Sequence, residues 1–152
     1  MPAPTVPILC IVVAYLLVYL PHFIAGSQRF KQPGGFDNAN PRDQTARLEG
    51  WAKRAAAAHQ NGHETFAPFA IAVVVAWVGH GSEHTLTLLA VAWVVLRVVY
   101  IGMYIGNLAA LRSLVWTTGL VVTVALFLLP VFSSTSTSPY QPADVGRSGT
   151  HD

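Results

Sequence analysis

Two sets of polar residues stand inside apolar runs at spacings that gather each on one helix face. Arg97, Tyr100 and Tyr104 lie at i, i+3 and i+7, which a helix of 3.6 residues per turn brings into line. Upstream, at about 100° per residue, Arg47, Arg54, Asn61 and Glu64 form a second stripe. Arg112 and Ser113 follow shortly after the first set. An arginine within an apolar helix needs a carboxylate, a carbonyl or a ligand, because charge at membrane depth is costly and turns toward a bundle interior or cavity. Arg97 could pair with Glu64 simply to lock two helices. That pairing leaves two tyrosines, an asparagine and the arginines 54 and 112 without a reason to converge. Together they offer cations, an amide and phenols around a cavity, which suits a small polar anion carrying several carboxylates. Pro68 follows the stripe, and its ring frees the carbonyl of Glu64. A kink there would help to wall the pocket.

The elements that must hold these residues are helices in a bilayer. The chain has 152 residues, 53% hydrophobic and 11% charged, against about 25% charged in soluble domains. A spanning helix takes roughly 20 mostly apolar residues, and four runs qualify, at residues 6–25, 45–78, 86–108 and 113–132. The expected fold is an all-α integral membrane four-helix bundle over residues 1–132. The tail, 133–152, is rich in Ser, Thr, Pro and Gly and is expected to be disordered. Residues 1–7 hold no Lys or Arg, whereas a signal peptide needs a basic start, so the first run is read as a spanning helix. A net charge of +2 with no basic, aromatic-interleaved stripe gives no expectation of nucleic acid.

Charge placement gives an orientation. Arg29, Lys31, Arg42, Arg47, Lys53 and Arg54 lie between the first and second apolar cores, and Arg112 lies between the third and fourth runs. The intervening loop, 79–85, has neither Lys nor Arg. The positive-inside rule then places the first and third loops in the cytoplasm and both termini opposite. His59 and His63 stand at i and i+4 without HExxH or an evident third ligand, so no metal is expected. The lone Cys10 reads as a small packing residue. The absence of an internal repeat and of broken helices counts against a channel or transporter.

The stretch Arg54-Ala55-Ala56-Ala57-Ala58-His59-Gln60-Asn61-Gly62-His63-Glu64-Thr65-Phe66 resembles the signature of the MAPEG family, the membrane-associated proteins in eicosanoid and glutathione metabolism. Ala39-Asn40-Pro41-Arg42-Asp43 is similar to that family's N-P-x-D loop. Arg97-Val98-Val99-Tyr100, Tyr104 and Leu111-Arg112-Ser113 resemble its third helix and following loop. The resemblance implies a homotrimer with a glutathione site between subunits, open to the cytoplasm. It also implies a membrane-bound transferase or peroxidase acting with glutathione as co-substrate on lipophilic electrophiles or lipid peroxides. By motif position, Arg54, Asn61, Glu64, Arg97, Tyr100 and Tyr104 would bind glutathione. Arg112 would stabilise its thiolate and Ser113 would assist, with Asp43 and Arg29 as further candidates. Many members carry a second arginine where this chain has Ala57. The alternative is a non-catalytic MAPEG-like membrane protein that binds a small anion or a protein partner.

Overall fold

The computed structural model describes residues 4–134; the tail expected to be disordered lies, from residue 135, outside them. The helices are α1 (Thr5–Arg29), α2 (Pro41–Ala46), α3 (Gly50–Val78), α4 (Glu83–Ile105) and α5 (Ala109–Ser134). The architecture is all-helical, as expected. Three helices, α1, α4 and α5, are long and apolar enough to cross a membrane. Much of their apolar surface faces outward, as with Leu16 at 61% exposure and Leu114 at 63%. Outward leucines need no water-soluble cover if the solvent is hydrocarbon.

The run expected as one helix over 45–78 is two. α2 ends at Arg47, whose N–H donates to the Asp43 carbonyl, and helix resumes at Gly50. Gly50 has φ +55, a left-handed conformation that glycine adopts without Cβ strain. Arg47 therefore leaves the stripe that it was expected to share with Arg54, Asn61 and Glu64. The remaining α3 is 29 residues long, but its first half carries Lys53, Arg54, Asn61 and Glu64 and is not apolar like the other three. It runs on through Pro68.

The long helices pack together, α3 against α1, α4 and α5, and α4 against α1 and α5. Small residues let the backbones approach, as is usual where lipid supplies no hydrophobic drive between helices. Ala14, Ala72, Ala76 and Ala90 are almost fully buried. A Cβ on Gly79 would meet Pro130 of α5 at 2.6 Å, so α3 and α5 touch closely at that end. In the centre, Phe69 stacks on Trp93 with ring centroids 3.9 Å apart, and the Trp93 indole N–H donates to Thr123 Oγ1 at 3.1 Å. The hydroxyls along α5 are satisfied within the helix: Ser113, Thr117, Thr118 and Thr123 donate to the carbonyls four residues back, which lets them enter an apolar medium.

The turns matter for the site. α3 closes with Gly81 N–H on the Ala76 carbonyl and α4 with Leu108 N–H on the Met103 carbonyl. Each closure is a Schellman turn, with His80 (φ 59) or Asn107 (φ 62) in the left-handed position. The α4–α5 turn is short enough that Arg112 comes back against the last turn of α4.

Candidate functional site

α4 aligns Trp93, Arg97, Tyr100 and Tyr104 toward α3 and α5. Arg97 is 6% exposed. Its Nη1 donates to Asn61 Oδ1 at 3.2 Å, and Asn61 Nδ2 approaches Glu64 Oε2 at 3.5 Å. The direct Arg97–Glu64 lock considered from sequence is thus absent: the guanidinium reaches the carboxylate only through the amide. Instead its Cζ lies 4.8 Å from the Trp93 ring centroid and 5.0 Å from that of Tyr100, where the π faces partly offset lost hydration. A Cβ on Gly119 would stand 3.1 Å from Arg97 Nη2, so that glycine makes room for the cation. Arg97 Nε is buried without a partner among the described residues. A buried cation lacking a direct counter-ion is costly to keep.

Toward the end of α4, Tyr104 sets its ring edge-on to Tyr100 at 5.5 Å, and Arg112 Cζ lies 4.5 Å over the Tyr104 ring. Among the described residues Arg112 makes no ion pair. An open cleft of about 440 Å³ is lined by Asn61, Tyr100, Tyr104, Arg112, Ser113, Trp116 and Thr117. Beside it lies a smaller and more apolar lobe of about 170 Å³, bounded by Glu64, Thr65, Pro68, Arg97, Leu120 and Thr123, and sharing Asn61 and Trp116 with the cleft. Glu64 is exposed at the edge of this lobe rather than buried as its depth suggested. Pro68 does wall a cavity, as expected.

The structure therefore brings together Asn61, Glu64, Arg97, Tyr100, Tyr104, Arg112 and Ser113. Arg54 stands apart from both voids. Its Nε donates to the Ile105 carbonyl at 3.0 Å and so caps the C-terminal end of α4, where a cation suits the helix dipole. Arg29 is also apart. Its Nη1 reaches Thr45 Oγ1, its Nη2 reaches His22 Nε2 and its Cζ faces Phe36, which ties the first loop to α1. Asp43 stands in the first turn of α2. Trp116, Thr117, Leu120 and Thr123 were not anticipated. The signal was present, since Arg112, Trp116 and Leu120 repeat at i, i+4 and i+8 and so share one face of α5.

Two other features lie elsewhere. His22 joins His59 and His63 on the α1–α3 face, with successive ring centroids 4.8 and 4.7 Å apart. Among the described residues no group of three His, Cys, Asp or Glu is placed to hold a metal ion. A larger cavity, about 590 Å³, opens at the opposite end of the bundle between the start of α1 and the α3–α4 turn, lined by Pro7, Trp77, His80 and Glu83. It holds none of the convergent arginines and tyrosines, so the smaller cleft is the chemically equipped one.

No curated protein matches the chain. The family model described as MAPEG family matches it over residues 6–132.

Proposed function

The chain belongs to the MAPEG family, and from that membership we propose that it is a glutathione-dependent transferase or peroxidase acting on lipophilic electrophiles or lipid peroxides. With its three membrane-spanning-type helices, it is an integral membrane protein. The observation that carries the catalytic reading is Arg112, a cation stacked on Tyr104 at the mouth of a polar cleft and free of any carboxylate among the described residues. A thiol with an ordinary pKa of about 8.5 is mostly protonated at neutral pH, and an adjacent cation lowers that value. Arginine supplies the charge without losing its own proton.

In the transfer reaction the thiol proton leaves to solvent and the thiolate held by Arg112 attacks the electrophilic carbon. The S–C bond forms as the leaving group departs with its electron pair. With a peroxide the thiolate attacks the terminal oxygen, the O–O bond breaks and the alkoxide leaves and takes a proton from solvent to become the alcohol; the thiol of a second glutathione then attacks the resulting sulfenic acid, giving the disulfide and water. Arg97, Asn61, Tyr100 and Tyr104 would bind the carboxylates and amides of glutathione, and Glu64 its amino group. Arg54 would act from the rim with the terminal nitrogens that its Nε contact leaves free. Ser113 offers a hydroxyl beside the sulfur.

The test is titration of the purified protein with glutathione, watching thiolate absorbance. A saturable rise is expected, with half-saturation that shifts when Asn61 is replaced by alanine. No rise and no heat of binding would sink the reading. The non-catalytic alternative draws support from Ala57, which stands where many members have an arginine; it expects glutathione or another small anion to bind without thiolate formation.

The finer membrane arrangement belongs to the same proposal. α3 makes the fourth crossing, the loop 30–49 and the α4–α5 turn face the cytoplasm, and three copies assemble so that a neighbour closes the open side of the cleft. Single cysteines at Thr5 and Gln32, in a Cys10→Ser background, report the sidedness. An impermeant reagent applied to intact cells is expected to label position 5 and spare position 32, and the reverse pattern refutes the orientation. A detergent-corrected mass of one or two subunits refutes the trimer.

A further inference from the structure

The first loop carries two cations that nothing in the fold neutralises. Among the described residues the side chains of Lys31 and Arg47 make no hydrogen bond or ion pair. Lys31 follows the end of α1, and Arg47 stands at the corner where α2 gives way to α3. The fold brings both to one open cleft of about 330 Å³, which Gln28, Gln32, Glu49 and Trp51 also line. Asp37 attracts Arg47 from outside the cleft, but its Oδ1 already accepts from the N–H groups of Ala39 and Asn40. Two cations against one lining carboxylate leave the cleft positive. Its surroundings are aromatic: Phe30 is 66% exposed and stacks on Phe36 at 4.9 Å, and Trp51 is 39% exposed. Exposed rings beside cations suit the level where hydrocarbon meets head groups. In the four-crossing arrangement the 29 residues of α3 rise about 43 Å through about 30 Å of hydrocarbon, which leaves its first turns at that level.

We propose that this cleft holds the head group of an anionic phospholipid, a phosphodiester bearing a small polyol, from the leaflet at this end of the bundle. Lys31 and Arg47 take the phosphate, as expected of a basic pocket between helix ends on the cytoplasmic side. Glu49 narrows the class. It accepts hydrogen bonds from polyol hydroxyls and repels the second charge of a phosphate monoester, so the phosphodiester is preferred. The amides of Gln28 and Gln32 donate to the remaining oxygens, and the acyl chains pass Phe30 and Trp51 into the bilayer. This cleft shares no lining residue with the one that holds Tyr104 and Arg112, and its lipid does not depend on what that site binds.

The delipidated full-length protein in neutral detergent is titrated with dioleoyl phosphatidylglycerol or dioleoyl phosphatidylcholine, and bound lipid is read by native mass spectrometry. Saturable binding of phosphatidylglycerol is expected, tighter than that of phosphatidylcholine; equal binding of the two overturns the proposal. Lys31→Gln with Arg47→Gln is expected to weaken phosphatidylglycerol about thirtyfold. Arg42→Gln with Lys53→Gln removes the same charge at exposed positions outside the cleft and is expected to bind like the wild type. Equal losses in the two pairs mean diffuse surface charge and overturn the site. The exchange Lys31→Arg with Arg47→Lys keeps both cations and is expected to retain the lipid; a loss there as complete as in the glutamine pair overturns the electrostatic assignment. Glycerophosphoglycerol binding as tightly as the lipid would make a soluble phosphodiester the ligand. Displacement of the lipid by glutathione would assign these cations to the other cleft. Either result overturns the proposal.

Discussion

Arg112→Ala is expected to lose about thirtyfold in glutathione-dependent turnover at pH 7 and to recover most of it by about pH 9. The size follows from the thiol. If the guanidinium lowers its pKa from about 8.5 to about 6, each unit removed being worth about 1.4 kcal/mol, the thiolate fraction at pH 7 rises about thirtyfold. Above the free-thiol pKa the thiolate forms without help, so the defect shrinks as pH rises. Arg112 stacks on Tyr104, and lysine, a compact and strongly hydrated charge, reproduces the field but not the stacked plane; Arg112→Lys is expected to fall between the two. Asn61→Ala weakens binding with little change in the pH profile. A pH series of turnover for the wild type and these variants checks all three. Wild-type turnover and pH dependence in Arg112→Ala would falsify the assigned role.

Arg97→Met is expected to leave the fold as stable as the wild type, or more so, while weakening glutathione binding by tenfold or more. Methionine relieves the burial of a cation whose Nε has no partner among the described residues and whose contact to Glu64 runs only through Asn61. Replacing a buried charge by an apolar residue of similar length is often neutral or stabilising. A charge retained under those conditions is retained for what it binds, and intramembrane ionisable residues are generally functional. Thermal unfolding in detergent and glutathione titration on the same preparation separate the two effects. A large loss of stability with unchanged binding would make Arg97 a structural residue and return the helix-locking role considered from the sequence.

Much of the bundle was legible because apolar length is a strong signal. The runs at 6–25, 86–108 and 113–132 lie within or close to the helices Thr5–Arg29, Glu83–Ile105 and Ala109–Ser134. The error came where composition is mixed. Between Ala46 and Gly50 the helical spacing of polar residues continues, yet the chain breaks, because Gly50 takes a left-handed φ that the periodicity of its neighbours does not reveal. Arg47 was misassigned with it. For the site, i, i+3 and i+4 spacing found the faces that carry Asn61, Glu64, Arg97, Tyr100 and Tyr104. It could not show what lies across the gap from each. Arg54 shares the stripe but turns to the Ile105 carbonyl, a partner 51 residues away that no local pattern encodes. Trp116 was not anticipated, although it lies one turn from Arg112 on the same face.

The mixed character of α3 also bears on how the protein is made. In the four-crossing arrangement, α1, α4 and α5 are apolar enough to partition into lipid individually as they emerge from the ribosome. α3 is not, because Arg54, His59, Asn61, His63 and Glu64 lie in its first half, and charged side chains near a helix centre each cost about 2.5–3.5 kcal/mol on insertion scales. Its apolar second half, with Phe69 against Trp93, gains its packing only once α4 has been synthesised. If α3 is the fourth crossing, its translocation would therefore be coupled to a later segment. Asn61 and Glu64, which face the cleft or its lobe, are among the residues that would delay its entry, and in that arrangement the nascent chain would carry a half-inserted hairpin until α4 arrives.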